Sequence, residues 1–138
     1  MPALDIYHNC VKNALIKEGW KITNDPLHLR LGTKDMYVDL GAQQLFAAQL
    51  GEQKIAVEIK SFIGQSEIED LKNALGQFVL YRAVLNKTEP ERTLYLAVRD
   101  STFNSLFCEP VGQLLLSNEN INMIVFEPSN EVIVRWIP

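Results

Sequence analysis

The segment Lys54-Ile55-Ala56-Val57-Glu58-Ile59-Lys60 decides the fold. Ile55, Val57 and Ile59 alternate with Lys54, Ala56, Glu58 and Lys60, and successive side chains of a strand point to opposite faces. The segment therefore reads as a strand with one apolar face, and Glu58 and Lys60 must point the same way. Such a pair is either a solvated ion pair, which stabilises little when exposed, or part of a site.

Working back toward the N-terminus, residues Gln43 to Leu50 read as a strand that turns at Gly51-Glu52 into this segment, although alanine, glutamine and leucine also favour helix. Before it, Met36-Tyr37-Val38-Asp39-Leu40 follows a turn at Gly32. Leu27, Leu29 and Leu31 alternate with His28 and Arg30 behind the turn Asn24-Asp25-Pro26. Ile6, Cys10, Ala14 and Leu15 recur at helical spacing and Gly19 is placed to stop the turn, which predicts a helix over about 4–18 with Lys12, Lys17 and Glu18 on its polar face.

Working forward, Ser66 and Glu69 form a capping box. The stripe Ile68, Leu71, Leu75, Phe78 and Leu85 carries a helix to about Asn86. Thr93 to Val98 is mostly apolar without strict alternation, as in an interior strand. Ser101 or Thr102 is placed to cap a following helix, which Pro110 breaks or restarts. Ile121 to Phe126 and Glu131 to Ile137 are two closing strands joined by Pro128-Ser129-Asn130. The predicted class is α/β, a mixed central β-sheet flanked by helices, in one domain over residues 1–138.

The composition fits that size: 138 residues, 47% hydrophobic and 22% charged, suffice for one core. The formal net charge of -4 opposes a tight grip on DNA through the protein's own electrostatics. A divalent cation would offset part of that charge where a phosphate must sit. The N-terminal sequence lacks a basic run followed by an apolar stretch, and no segment approaches the roughly 20 apolar residues of a membrane span, so a cytoplasmic protein with no membrane partner is expected. Cys10 and Cys108 have no CxxC or Cys/His cluster around them and read as reduced core residues. His8 and His28 read as structural, without the partners of a general base. Ser61 and Ser66 have no Ser/His/Asp arrangement, and there is no GxGxxG or Walker loop.

What remains is an acidic constellation. Phosphodiester hydrolysis needs a Lewis acid on the phosphate and an activated water beside it, and Mg²⁺ or Mn²⁺ held by carboxylates supplies both. Asp39 and Glu58 offer two hard ligands, the Ile59 backbone carbonyl a third, and Lys60 a flexible ammonium for the water or for developing negative charge. Gln77 and Tyr81, at i and i+4 on the capped helix, share a face.

An aspartate followed by Glu58-Ile59-Lys60 resembles the PD-(D/E)XK pattern of restriction-type and Holliday-junction-type nucleases, with Val38 where a proline usually precedes the aspartate. Asp39-Leu40-Gly41-Ala42, the Lys54 to Phe62 stretch, Gly76 to Arg82, Leu94 to Val98 and the closing Arg135-Trp136-Ile137 together resemble the XisH family over nearly the whole chain. That resemblance implies a controlling factor for excision of the fdxN element, a DNA segment that cyanobacteria remove by site-specific recombination during heterocyst differentiation. It also implies DNA, a recombinase and a companion XisI protein as partners. The nuclease resemblance implies a restriction-endonuclease-like fold, Asp39, Glu58, Lys60 and Gln77 as catalytic residues, and Asp39, Glu58 and Ile59 as ligands of Mg²⁺ or Mn²⁺. Gln77 would touch a phosphate or metal-bound water and Tyr81 would support it, while Glu18 matches in position a first-helix glutamate that often approaches the site. A domain this small would need a homodimer to cover a DNA site. Two alternatives stay open: a catalytically silent accessory that binds the recombinase, XisI or DNA, and the toxin of a toxin-antitoxin pair.

Overall fold

The computed structural model describes residues 5–46 and 51–137. Six strands form one sheet in the order β1 (Lys21–Asn24), β4 (Leu40–Phe46), β5 (Gly51–Ile59), β6 (Arg92–Arg99), β7 (Met123–Glu127) and β8 (Val132–Ile137). The three central strands β5, β6 and β7 run parallel, and the outer pairings are antiparallel. The predicted mixed sheet flanked by helices is therefore present. A separate two-stranded hairpin, β2 (Leu27–Leu31) and β3 (Lys34–Val38), turns at Gly32, whose φ of 62° suits glycine.

The parallel strands need crossovers. Helix α2 (Glu67–Thr88) links β5 to β6, while the short α3 (Asp100–Thr102), a π-helical turn over Phe103–Phe107 and α4 (Pro110–Glu119) link β6 to β7. Ser66 caps α2, its hydroxyl accepting from the Glu69 N–H at 3.3 Å, while the Glu69 carboxylate turns to Lys72 at 3.0 Å. The capping serine is as the sequence predicts.

Alternation along β5 sets the two layers. Ile55, Val57 and Ile59 pack with Val11 and Leu15 of helix α1 (His8–Lys17), Trp20 and Tyr95 on one face. Ala56 joins Phe78, Leu85, Leu96 and Val98 on the other, beneath α2. Phe78 is fully buried, and truncating such a residue costs about 3–5 kcal/mol.

Several local readings change. Gly51 and Glu52 are strand residues rather than a turn: Gly51 pairs with Phe46, and residues 47–50 of the predicted 43–50 strand lie outside the described part. The predicted strand through Val38-Asp39-Leu40 is interrupted at Asp39, where the chain bends from the hairpin into the main sheet. Helix α1 starts at His8, leaving Ile6 before it and 63% exposed; Val11 takes its place on the buried face. Lys21–Asn24 forms an edge strand too short to show a period. Ser101 and Thr102 lie inside a helical turn instead of capping it, whereas Pro110 does restart a helix. Cys10 is buried, but Cys108 is exposed and not a core residue. Among the described residues no helix is long and apolar enough to cross a membrane.

Candidate functional site

The β4–β5 register explains why Asp39 and Glu58 meet. Leu40 pairs with Val57, so Asp39, one step before the strand, falls opposite Glu58, and opposed residues of antiparallel strands share a face with close Cβ atoms. Because β4 backbone ends there, the Asp39 side chain takes over the edge: its Oδ2 accepts the Ile59 N–H at 2.7 Å. The Asp39 N–H in turn donates to Glu58 Oε1 at 3.3 Å. The N–H and C=O of one strand residue point to the same edge, so the Ile59 carbonyl opens on the Asp39 side.

This pair is poor in counter-charge. Glu58 is buried, and burial, followed by the negative charge of Asp39 and a hydrogen bond to it, pushes its carboxyl up to about 9. Burial also raises Asp39, against the lowering effect of the Ile59 N–H and of the hydrogen bond from Glu58. Two neighbouring carboxyls resist ionising together, which adds to the upward push on Glu58. Buried anionic oxygens that lack a counter-ion suit a hard divalent cation. Among the described residues no third carboxylate, imidazole or thiolate completes a ligand set with them, which leaves the Ile59 carbonyl, phosphate oxygen and water.

The other residues singled out by sequence fall at different distances. Lys60 continues the ladder, its N–H donating to Ala97 O at 3.1 Å, so alternation carries it onto the Glu58 face; among the described residues no carboxylate forms an ion pair with it. Tyr81 is half-buried on α2, and its hydroxyl is raised by burial and then by the charges of Glu58 and Asp39. Gln77 lies one turn earlier on α2, exposed. Glu18 sits elsewhere, at the C-terminal end of α1, where its carboxylate accepts the Trp136 indole N–H at 3.0 Å. The ten residues of α1 put about 15 Å between its ends.

The opposite end of α1 approaches instead, through Asp5, which sequence reading passed over, and next to His8, which it read as structural. Asp5 accepts the Tyr7 N–H at 2.9 Å and the Ser61 N–H at 3.1 Å, fastening the start of the helix to the residue after Lys60. Its charge further raises both Asp39 and Glu58. His8 is 2% exposed, with Nε2 2.6 Å from Asp25 Oδ1, so it does have a partner. The Asp5-x-Tyr7 turn is the one local signal for this, since aspartate commonly bonds the N–H two residues on. Reading the helix from residue 4 hides it.

The family model described as XisH protein matches residues 1–134. Among solved structures, an fdxN element excision controlling factor protein from Anabaena variabilis is 40% identical, with a TM-score of 0.88 over 98% of this chain and 100% of that one. An XisH family protein from Nostoc punctiforme is 38% identical, with a TM-score of 0.87 over 97% of this chain and 100% of that one. No protein among those of curated function matches.

Proposed function

The chain belongs to the XisH family, and from that premise we propose that it controls excision of an fdxN-type DNA element, acting on DNA as a divalent-cation-dependent nuclease of the PD-(D/E)XK type. One observation carries this reading: a buried glutamate and a half-buried aspartate from adjoining strands meet with no ion pair to a basic side chain among the described residues, at the edge of the sheet's parallel core. A fold does not keep such a pair for stability, because each buried charge left unpaired is costly.

In this reading Asp39, Glu58 and the Ile59 carbonyl hold Mg²⁺ or Mn²⁺. The bound ion would polarise a phosphate oxygen and acidify a water. Lys60 orients the attacking water and steadies charge on the phosphate, Gln77 contacts a phosphate oxygen from α2, and Tyr81 supports Gln77. Asp5 adds negative charge that favours cation over free phosphate. DNA, an XisI-like protein and a recombinase are the partners, with a homodimer to span the site.

Purified protein incubated with single-stranded, duplex and branched DNA plus Mg²⁺ or Mn²⁺ tests the proposal. Wild type is expected to cleave one class, and Asp39→Ala and Lys60→Ala to lose about 100-fold or more in rate. Calorimetry separates their roles: Asp39→Ala loses Mn²⁺ binding, whereas Lys60→Ala keeps it. The net charge of -4 favours a second reading, a silent accessory that binds the recombinase or XisI. Inert protein on every substrate, with XisI binding intact in both variants, would select it.

A further inference from the structure

A cavity of about 140 Å³ lies between the C-terminal half of α2 and the start of β6. Leu85 and Leu94, 1% and 4% exposed, form its apolar floor. Five side chains on its walls carry hydrogen-bond donors: Arg82, Asn86, Arg92, Thr93 and Asn122. Thr93 pairs with Ile55, three residues before Glu58, so it stands about 10 Å along the sheet from the acidic pair.

The charges on these walls do not balance. Arg92 Nε donates to Glu89 Oε1 at 3.1 Å and its Nη1 to the Ile55 carbonyl at 2.9 Å, so this guanidinium has a carboxylate of its own. Arg82 has none among the described residues. Its Nη1 donates to the carbonyls of Glu119 and Asn120, at 2.9 and 3.5 Å, and so closes the end of α4. That structural role leaves the rest of the guanidinium fork unused. Among the described residues the buried side-chain atoms without a partner are His8 Nδ1 and Arg99 Nε. Arg82 Nε and Nη2 and Arg92 Nη2, which bond nothing among those residues, are therefore open to solvent. The Asn122 amide reaches Leu94 O at 3.5 Å.

We infer that this cavity binds a phosphate group, either free phosphate or the terminal phosphate of an oligonucleotide. Unused donors converging over an apolar floor are the usual make-up of a ligand site. A surplus positive charge with no carboxylate on the walls selects an anion. Guanidinium forks match phosphate oxygens two at a time, and the small volume suits a compact tetrahedral ion. In a chain of net charge -4, this local surplus is not part of a generally basic surface. The inference does not depend on the cation reading, since none of Asp39, Glu58 and Lys60 lines the cavity.

Inorganic phosphate titrated into the full chain, followed by calorimetry and amide NMR spectra, tests the site. Millimolar phosphate is expected to saturate wild type and to move the side-chain amide signals of Asn86 and Asn122. Arg82→Gln is expected to weaken phosphate binding about 10-fold or more. Asn86→Ala changes an exposed helix position and should lose a smaller factor, a comparison that survives if Arg82→Gln does not fold. Lys72→Gln removes the same charge ten residues earlier on α2, about 15 Å away. It is expected to leave affinity within about 2-fold, because exposed charges at that distance are screened. A 5′-phosphorylated oligonucleotide that displaces phosphate when its unphosphorylated twin does not identifies a strand end as the source; displacement by neither identifies free phosphate. Amide signals of Asn86 and Asn122 that stay still in tens of millimolar phosphate overturn the inference, as does an equal loss in Lys72→Gln and Arg82→Gln.

Discussion

Asp25 and the Asp39–Glu58 pair are both acidic sites beside α1, and the fold treats them in opposite ways. Asp25 sits between Lys12 and His8 at 2.7 and 2.6 Å. Partial burial works against it, but those hydrogen bonds hold its carboxyl below the usual range. Glu127 is similar: its small burial penalty is outweighed by the N–H groups of Ser129 and Asn130 in the β7–β8 turn. Glu58 instead faces a second carboxylate and rises to about 9. Where the chain needs an acid for structure, it supplies the partner. At Asp39 and Glu58 no basic side chain forms an ion pair among the described residues.

The sharpest way to break this contrast is to neutralise Glu58. A carboxyl raised when folded favours the protonated folded state, so its contribution is present below the ordinary glutamate range and is lost as pH rises toward 9. Metal-free wild type should therefore lose stability across that window. Glu58→Gln should flatten the slope and raise stability at pH 8 by about 1–4 kcal/mol, read from urea titrations. Asp25→Ala works in the opposite sense: it strands the buried His8 Nε2 hydrogen, and the same titration should show a loss of about 1–3 kcal/mol. Lys12→Ala removes only the exposed partner of that cluster, so a change within about 0.5 kcal/mol is expected. A loss in Lys12→Ala as large as in Asp25→Ala would mean that His8 contributes nothing to holding Asp25.

The same contrast marks what was legible in the sequence. Period and register are local, so the alternation of β5, the shared face of Glu58 and Lys60 and the Ser66 cap all follow from neighbouring residues. The meeting of Asp39 with Glu58 was within reach because one hairpin joins β4 to β5. The contacts of Asp5 with Ser61 and of His8 with Asp25 cross 56 and 17 residues, and nothing in the local pattern encodes them. Glu18 shows the reverse failure: it lies on the expected helix, but position on a helix does not say which end faces the sheet's edge. Gly51 was read as a turn residue because a strand that begins with glycine resembles a turn that ends with one.

The most direct measurement is anomalous diffraction from crystals soaked in Mn²⁺. The account predicts a peak about 2.0–2.2 Å from a carboxylate oxygen of both Asp39 and Glu58, with the Ile59 carbonyl beside it. Density without a peak there at millimolar Mn²⁺, the two carboxyls still sharing their hydrogen bond, would contradict it.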